Sequence, residues 1–313
     1  LEKIAVNLMA GVPAVVKPAT VTSFLTELMV REIDKSGILP PGALQLLCGS
    51  ARGIISHVNS QDVVTFTGSA WVGRQLKADP NIINNSVPFN LEADSLNASI
   101  LAPDAKPGTP EFDIFVKEVH KEMTVKGGQK CTAIRRAIVH EDLIDDVQIA
   151  LSQRLAKTVV GDPTLEGVRM GALAGISQRD EVIEKVNQLA KSQEIVYGDI
   201  ENFEVSGADK NVGAFFAPIL FRNNKPFENQ DVHSVEAFGP VSTLIPYKTL
   251  DEAIELSNLG RGSLVASIVT NNDETARNFV LGAAPYHGRI LILNHENARE
   301  STGHGSPLPM LTH

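Results

Sequence analysis

The residue with the clearest chemical potential in this sequence is Cys131, which follows a glycine pair in the segment GGQKCTA at 127–133. A thiol is a nucleophile only as the thiolate, and nearby positive charge favours that form. Four cationic residues flank it in the sequence: Lys126, Lys130, Arg135 and Arg136. The other cysteine, Cys48, ends an apolar run, so we expect a small core residue there and a reactive thiol at Cys131.

Two glutamates could assist such a thiol. Glu92 lies in an otherwise uncharged stretch at 82–93, and apolar surroundings raise the pKa of a carboxyl group towards the range of a general base. Glu236 stands beside Phe238 in the segment SVEAFGP, where its carboxylate could hold a sugar hydroxyl. From the residues alone, a solvent-facing loop glutamate at either position is an equally open interpretation.

A third motif, Gly68-Ser69 with Gly73 five residues after the first glycine, follows an apolar run and opens a helical pattern. Glycines there would let a phosphate approach the backbone, and a helix N-terminus favours negative charge. The motif does not match the dinucleotide pattern G-x-G-x-x-G, so a plain strand–helix turn stays open. The eight histidines show no metal-ligand spacing, and we expect no metal.

The elements that must position these residues alternate between strand and helix. Such alternation predicts an α/β fold with a parallel, doubly wound sheet, which binds ligands at the carboxyl ends of its strands. The predicted strands are 13–17, 44–48, 62–67, 99–102, 136–139, 241–246, 265–269 and 289–293. The longer predicted helices are 24–33, 112–122, 142–157, 178–191 and 250–258. We place a domain boundary near residue 94, a second domain at 95–293 and a loop at 294–313.

Composition limits the class of protein. The chain has 313 residues, 43% of them hydrophobic, and a net charge of −9, which suits two globular domains and disfavours nucleic acid or acidic membranes as partners. Two cysteines form no disulfide framework, which fits a reducing cytoplasm, and no apolar run reaches membrane-spanning length. Because the sequence opens on Leu1 within a helical pattern and closes on a loop, we expect a fragment of a longer polypeptide.

The order of these motifs resembles the aldehyde dehydrogenase superfamily over nearly the whole chain. The motifs are VVKPA around Lys17, FTGSxxxG from Phe66 to Gly73, Leu-Glu92, GQxC ending at Cys131, and ExFGP from Glu236. The segments at 88–97 and 303–309 resemble more narrowly the dehydrogenase half of the bifunctional ring-opening enzymes of bacterial phenylacetate degradation. Those enzymes join an oxepin-CoA hydrolase to a semialdehyde dehydrogenase.

The resemblance implies a chemistry for each candidate. Cys131 would attack the aldehyde to form a thiohemiacetal, which loses hydride to a nicotinamide and leaves a thioester, and Glu92 would activate the water that hydrolyses it. Lys17 would hold the adenosine ribose, and Glu236 the nicotinamide ribose beside Phe238. The resemblance places the rest of the cofactor site at Ala19, Thr20, Phe66, Gly68, Ser69, Val72, Gly73 and Ala93.

Three departures from the family pattern modify these expectations. Thr20 replaces a glutamate common in NAD-preferring members, so we expect NADP to be preferred and NAD to remain possible. Ala93-Asp94-Ser95 replaces the usual Gly-Gly-Lys, which changes the segment around the nicotinamide. The family's oxyanion-hole asparagine precedes this chain, and losing one such donor costs roughly a hundredfold to a thousandfold in rate. We therefore expect the 313-residue polypeptide alone to fold poorly and to be nearly inactive.

The resemblance also suggests partners and leaves alternatives. The expected substrate is an aldehyde, carried on coenzyme A if the narrower resemblance holds, and the expected full-length protein is a homo-oligomer with a fused hydratase domain beyond this chain. A CoA-acylating aldehyde dehydrogenase is one alternative, although retention of Glu92 argues against it. A non-catalytic domain that keeps the fold is another, and the combination of Cys131, Glu92, Lys17 and Glu236 argues against that.

Overall fold

A computed structural model describes residues 2–51 and 53–305. The chain divides into two compact units, Leu1–Asp94 and Ser95–His313. No helix in the described ranges is long and apolar enough to cross a membrane.

The first unit alternates short strands with helices, as the pattern of apolar runs and glycine or proline breaks predicted. Its strands are β1 (Ala14–Val16), β2 (Leu44–Leu46), β3 (Val64–Thr67) and β4 (Phe89–Glu92). Its helices are α1 (Glu2–Met9), α2 (Ser23–Lys35), α3 (Ala70–Lys77) and α4 (Pro80–Asn84), with 3-10 turns at Thr20–Thr22 and Ile54–His57. β1 pairs with β2 and β3 pairs with β4, both in parallel, so that the carboxyl ends of each pair lie together.

Side chains of the first unit are mostly half-buried or exposed. Among its described residues only Gly73, Ile82 and Val87 are buried. Along β3, half-buried and exposed side chains alternate, as expected for a strand with one face packed. Cys48 is exposed, so the prediction of a core residue is wrong. The strand ends at Leu46, and Cys48 lies beyond the pairing that would have covered it.

The second unit is built on a seven-stranded sheet. Its strands are β5 (Ala98–Leu101), β6 (Arg136–His140), β7 (Glu194–Tyr197), β8 (Ile219–Arg222), β9 (Val241–Tyr247), β10 (Ala266–Val269) and β11 (Ile290–Leu293). Its helices are α5 (Pro110–Thr124), α6 (Ile144–Leu155), α7 (Ile176–Leu189), α8 (Leu250–Asn258) and α9 (Asp273–Ala283). The strand order is β11-β10-β5-β6-β9-β8-β7, and only the edge pair β7–β8 is antiparallel.

Each central strand is buried on both faces, which is typical of a parallel sheet covered by helices. Successive residues of β5 enter different cores: Ile100 packs with residues of α8 and α9, and Leu101 packs with residues of α5 and α6. Both side chains are fully buried. Three of these helices (α5, α8 and α9) begin at capping side chains, for example Thr109, whose hydroxyl accepts a hydrogen bond from the amide of Phe112. The central strands therefore give the second unit a rigid frame.

Candidate active site

In the first unit, the predicted phosphate turn and the predicted base meet at the carboxyl ends of β3 and β4. The register pairs Thr67 with Glu92, the last residue of each strand. The amide of Gly68 donates to the carbonyl of Glu92 at 3.1 Å, and Ser69 follows as the N-cap of α3. The pairing therefore brings these candidates to one sheet edge, where parallel sheets bind ligands.

The start of α3 holds an anionic oxygen in this structure. The amide of Ala70 donates to the carboxylate of Asp94 at 3.0 Å, and the amide of Val72 donates to the hydroxyl of Ser69 at 3.4 Å. A carboxylate at a helix N-terminus stands in for the phosphate oxygens that such a terminus binds. The start of α3 can therefore hold an anionic oxygen, and its predicted role at a pyrophosphate stays a prediction.

Gly73 has a packing reason for its identity. A Cβ atom there would overlap the side chain of Leu91, and it would also lie 3.3 Å from the ring of Phe66. Gly73 is accordingly the residue that lets α3 lie close to β3 and β4. Its predicted role beside a pyrophosphate stays a prediction, whereas its role in helix–strand packing follows from the geometry.

Glu92 is paired with a cation that the sequence did not single out. Its carboxylate lies 2.8 Å from the ammonium of Lys3 in α1, and the same ammonium donates to the hydroxyl of Thr67 at 2.7 Å. The Glu92 side chain is 27% exposed, so its surroundings are not the apolar pocket expected from the sequence. The contacts with Lys3 hold the Glu92 carboxylate at the carboxyl ends of β3 and β4.

The other cofactor candidates of the first unit are divided between its two strand pairs. Lys17 directly follows β1 and is exposed, and Ala19 is the N-cap of the 3-10 turn that begins at Thr20. Within the described residues, β1 and β2 form their own two-stranded sheet, separate from that of β3 and β4. Ala93, Phe66 and Val72 are half-buried near the ends of β3, β4 and α3.

In the second unit, Cys131 ends a turn with unusual backbone angles, here called the nucleophile turn (residues 126–131). Lys126, Gly127 and Gly128 all have φ between +56° and +68°. Left-handed backbone is easy for glycine but costs about 1–2 kcal/mol for a residue with a Cβ atom, such as Lys126. Cys131 itself is exposed. The strained turn places an accessible thiol at the end of a backbone segment that the buried frame must hold in place.

Three of the four cations that flank Cys131 in the sequence, namely Lys130, Arg135 and Arg136, bind different partners. Lys130 binds both carboxylate oxygens of Glu122, at 2.7 and 2.8 Å. Glu122 is buried, and burial raises the pKa of its carboxyl group despite the opposing effect of Lys130. Arg136 donates to the carbonyls of Leu96, Leu256 and Ser257, and burial lowers its pKa to about 9. Arg136 therefore holds the end of α8 in place and has a structural role.

Arg135 joins the nucleophile turn to a second turn, here called the glutamate turn (residues 236–240). Its guanidinium binds the carboxylate of Glu236 at 3.3 Å and donates to the carbonyl of Gly239 at 2.6 Å. It also donates to the carbonyl of Gly128 at 2.9 Å and, at 3.4 Å, to that of Lys130. Burial lowers the pKa of Arg135, and the acidic groups of Glu236, Glu122 and Cys131 oppose that effect.

Other contacts fix the two turns further. The amide of Ser95 donates to the second oxygen of Glu236 at 3.0 Å, and the guanidinium of Arg135 lies 5.5 Å from the ring centre of Phe238. The side-chain amide of Asn97 donates to the carbonyl of Cys131 at 2.8 Å. Ser95, Asn97 and Arg135 were not predicted as site residues, because short polar residues and a buried arginine carry no motif of their own.

Metal ligation has no support in the described part of the chain, where no three His, Cys, Asp or Glu side chains are grouped to hold an ion. The arrangement instead offers a thiol, carboxylates and an anion-binding helix start. These groups suit covalent chemistry at sulfur and the binding of a phosphorylated, ribose-containing cofactor.

A family comparison decides the class of protein. The sequence profile of the aldehyde dehydrogenase family matches residues 1–299. The chain belongs to the aldehyde dehydrogenase family. This membership confirms the resemblance drawn from the order of the motifs.

Curated relatives within the family point in a narrower direction. The chain is 44% identical over 312 residues to 3,4-dehydroadipyl-CoA semialdehyde dehydrogenase of Aromatoleum evansii, covering 100% of this chain and 61% of that protein. It is 48% identical over 145 residues to Protein MaoC of Klebsiella aerogenes, covering 46% of this chain and 42% of that protein. The chain thus spans about three fifths or less of these relatives' length.

A solved aldehyde dehydrogenase has the same fold. A betaine aldehyde dehydrogenase of Staphylococcus aureus, crystallised in complex with NAD+, superposes with a TM-score of 0.81 at 25% identity. The match covers 93% of this chain and 55% of that enzyme. The α/β fold with a predominantly parallel sheet, expected from the sequence, is confirmed by this match.

Proposed function

We propose that this chain is the dehydrogenase part of an enzyme that oxidises a CoA-linked semialdehyde to the carboxylate, with NADP as the oxidant. The observation that carries the proposal is the exposed thiol of Cys131 on a turn anchored to the glutamate turn through Arg135. The 44% identity to a CoA-semialdehyde dehydrogenase supports the substrate class.

The proposed chemistry begins at Cys131. Its thiolate adds to the aldehyde carbon, so that a C–S bond forms and the carbonyl oxygen becomes an oxyanion. A bound nicotinamide would supply the oxidant: the carbon would lose its hydride to it as the C=O bond re-forms, and Cys131 would be left carrying a thioester. Asn97 holds the backbone carbonyl of Cys131, which keeps the sulfur at the end of the nucleophile turn.

Glu92 completes the proposed cycle as a general base. Its carboxylate removes a proton from water, the resulting hydroxide attacks the thioester carbon, and the C–S bond breaks to release the acid and the thiolate. The contacts of Lys3 with Glu92 and Thr67 support this role because they hold the Glu92 carboxylate in place at the carboxyl ends of β3 and β4. The proposed catalytic residues are therefore Cys131 in the second unit and Glu92 in the first.

The proposed cofactor residues are divided between the two units. Lys17 would bind the adenosine ribose, Gly68 and Ser69 the pyrophosphate at the start of α3, and Glu236 the nicotinamide ribose. The polar chemistry supports this assignment, because a cation, a helix N-terminus and a carboxylate match the ribose and phosphate groups. Completing the proposed set are Ala19, Thr20, Phe66, Val72, Gly73, Ala93 and Phe238.

NADP preference is proposed from Thr20, which is exposed at the start of its 3-10 turn. A hydroxyl at this position would leave room for a 2′-phosphate and donate a hydrogen bond to it, whereas a carboxylate would repel it. The full-length protein is therefore expected to bind NADP more tightly than NAD, measured by titration calorimetry. Thr20→Glu should reverse the order, and tighter binding of NAD by the unaltered protein would contradict the proposal.

The wider organisation is also proposed. Residues 1–94 would be the C-terminal part of the NAD(P)-binding domain and 95–293 the catalytic domain. The 294–313 loop would follow, although residues 306–313 lie outside the described part of the chain. The parent protein is proposed to be a cytoplasmic homo-oligomer in phenylacetate catabolism with a fused hydratase domain, and the 313-residue polypeptide alone to be nearly inactive.

One assay tests the reaction itself. Full-length protein, incubated with a CoA-linked semialdehyde and NADP, should form free carboxylate and NADPH in equal amounts. Addition of free CoA should not divert the product. Formation of an acyl-CoA thioester would favour the acylating alternative, and absence of both products would favour a non-catalytic domain.

A further inference from the structure

The nucleophile turn and the glutamate turn are in backbone contact. A Cβ atom on Gly128 would overlap the carbonyl oxygen of Gly239 and would lie 2.8 Å from Cα of Pro240. Because backbone atoms cannot rotate away as a side chain can, the two turns cannot tolerate a side chain between them. A displacement of either turn would therefore move the backbone of the other.

Arg135 is the side chain that bridges this contact. It is 5% exposed and offers three nitrogen atoms, of which Nε binds Glu236 in the glutamate turn and Nη2 binds Gly128 in the nucleophile turn. Nη1 donates to the carbonyl of Gly239, which also belongs to the glutamate turn. A guanidinium has a rigid, planar set of donors, so these bonds fix the relative positions of their acceptors.

We propose that Arg135 is a positioning residue that couples the hold of Glu236 on the nicotinamide ribose to the reactivity of Cys131. The ribose half of this coupling rests on the function proposed above, whereas the half that concerns the Cys131 thiol does not. The guanidinium supplies both a positive charge in the nucleophile turn, at the carbonyls of Gly128 and Lys130, and a fork that joins the two turns.

The two contributions can be separated by substitution. Arg135→Lys keeps a positive charge but replaces the planar fork by a single point donor, so it loses the link between the turns. Arg135→Gln removes the charge and leaves the buried carboxylate of Glu236 without its cation. Because an uncompensated buried charge is strongly destabilising, the double variant R135Q/E236Q removes both charges and provides a foldable second test.

The neighbouring Arg136 offers a matched control. It is also buried, but its bonds go to carbonyls at Leu96, Leu256 and Ser257 and to the ring of His233. Arg136→Lys should lower the melting temperature about as much as Arg135→Lys does, without changing the nucleophile turn or the glutamate turn. All variants are made in full-length protein carrying Cys48→Ser, because Cys48 is exposed and would also be alkylated.

The first measurement is the rate of Cys131 alkylation by iodoacetamide as a function of pH, without nucleotide. Arg135→Gln should move the profile to higher pH and slow alkylation about tenfold at neutral pH, because thiolate formation loses a neighbouring cation. Arg135→Lys should retain the profile's position. Arg136→Lys should leave both rate and profile within about twofold of the parent.

The second measurement is the dissociation constant for NADP by calorimetry. Arg135→Lys, Arg135→Gln and Glu236→Gln should each weaken binding about tenfold. R135Q/E236Q should be no weaker than the single variants, because coupled residues are not additive. Two outcomes would overturn the proposal and leave Arg135 with a structural role only. One is a loss of NADP affinity in R135Q/E236Q that equals the sum of the losses in the single variants. The other is an equal loss of NADP affinity in Arg135→Lys and Arg136→Lys, in proportion to their lowered melting temperatures.

The two measurements also separate this proposal from the proposed function. If the parent protein binds no nicotinamide nucleotide, the proposed function fails while the alkylation profile still tests the link to Cys131. If the parent binds NADP but Arg135→Gln changes neither the alkylation profile nor the affinity, the proposed function stands and the role of Arg135 is wrong.

Discussion

The two units of this chain have similar secondary structure, but their side chains are buried to very different degrees. In the second unit, seven strands share one sheet, and neighbouring residues such as Ile100 and Leu101 are both fully buried. In the first unit the strands form two separate parallel pairs, and large apolar side chains such as Phe24 and Trp71 are more than 60% exposed. Two-stranded units have little independent stability.

The difference bears directly on the proposed division of labour. The nucleophile turn, with its three left-handed residues, depends on buried partners such as Arg135 and Asn97. Glu92, the proposed base, has as its ion-pair partner Lys3, a half-exposed lysine of its own unit. Non-glycine residues with positive φ occur in both units, at Ser86 in the first and at Lys126 and Arg261 in the second. The strain at Lys126 lies in the unit with the deeper core, where surrounding packing can maintain it.

Substitution of the nucleophile should give the largest effect and identifies which unit carries the covalent step. Cys131→Ser should lower aldehyde oxidation by about 10⁴-fold or more, since a hydroxyl is a much weaker nucleophile than a thiolate at neutral pH. NADPH formation is the measurement, including any initial burst. Cys48→Ser is the matched control and should retain full activity, and a similar loss in both would contradict the assignment.

Removal of the base should give the next largest effect and a different kinetic signature. Glu92→Gln should lower steady-state turnover by about 10²–10³-fold, which is typical for loss of a general base. A burst of about one NADPH per active site should persist in rapid-mixing experiments, because thioester formation precedes the step that needs Glu92. Glu27→Gln, which removes another ion-paired glutamate of the first unit, should change neither phase. Loss of the burst would assign Glu92 to an earlier step.

The sequence predicted the strands and helices better than the contacts between side chains. Apolar runs and helical periodicity predicted most strands and placed α8 at its observed bounds, because burial on a sheet or helix face sets a regular pattern. β7 was missed because its apolar run of three residues is short and follows Glu194 at the exposed edge of the sheet. β8 was missed although it is a buried apolar strand. β4 was missed because the segment before Glu92 was considered only for its lack of charge.

The sequence predicted which residue types form the candidate site, but it did not predict which residues bind one another there. Cys131 and four nearby cations could be identified in the sequence. The direction in which each side chain points decides which cation contacts the nucleophile turn. Arg135 and Arg136 are adjacent, and adjacent residues at a strand point to opposite sides. Arg135 accordingly reaches the two turns, whereas Arg136 reaches the end of α8. Lys3 had no signal at all, because a helix lysine is normally solvated.

A pair of glycine substitutions compares the tolerance of the two units directly. Gly128 and Gly42 both have positive φ, at +68° and +82°, so alanine at either position carries a strain of about 1 kcal/mol or somewhat more. Gly42 has open space around a Cβ atom, whereas Gly128 would collide with backbone of the glutamate turn.

Gly128→Ala should therefore destabilise the second unit by about 3 kcal/mol or more, the range of overpacked sites, and slow alkylation of Cys131. Gly42→Ala should cost only about 1–2 kcal/mol and leave Cys131 unaffected. Hydrogen exchange of amides in β6 and β1 measures each unit separately. Equal losses of protection in the two variants would show that the contact between the turns is not tight.

The smallest effect is expected at the ion pair of the first unit. Lys3 and Glu92 are 37% and 27% exposed, and ion pairs of that kind contribute up to about 1 kcal/mol, less at high salt. Lys3→Met should therefore lower turnover by less than about tenfold, with the difference shrinking as ionic strength rises. Lys35→Met removes another exposed ion pair and should change nothing. A loss as large as that of Glu92→Gln, unaffected by salt, would mean that Lys3 handles the proton itself, and the half-exposed first unit would then contribute a second residue to the chemistry.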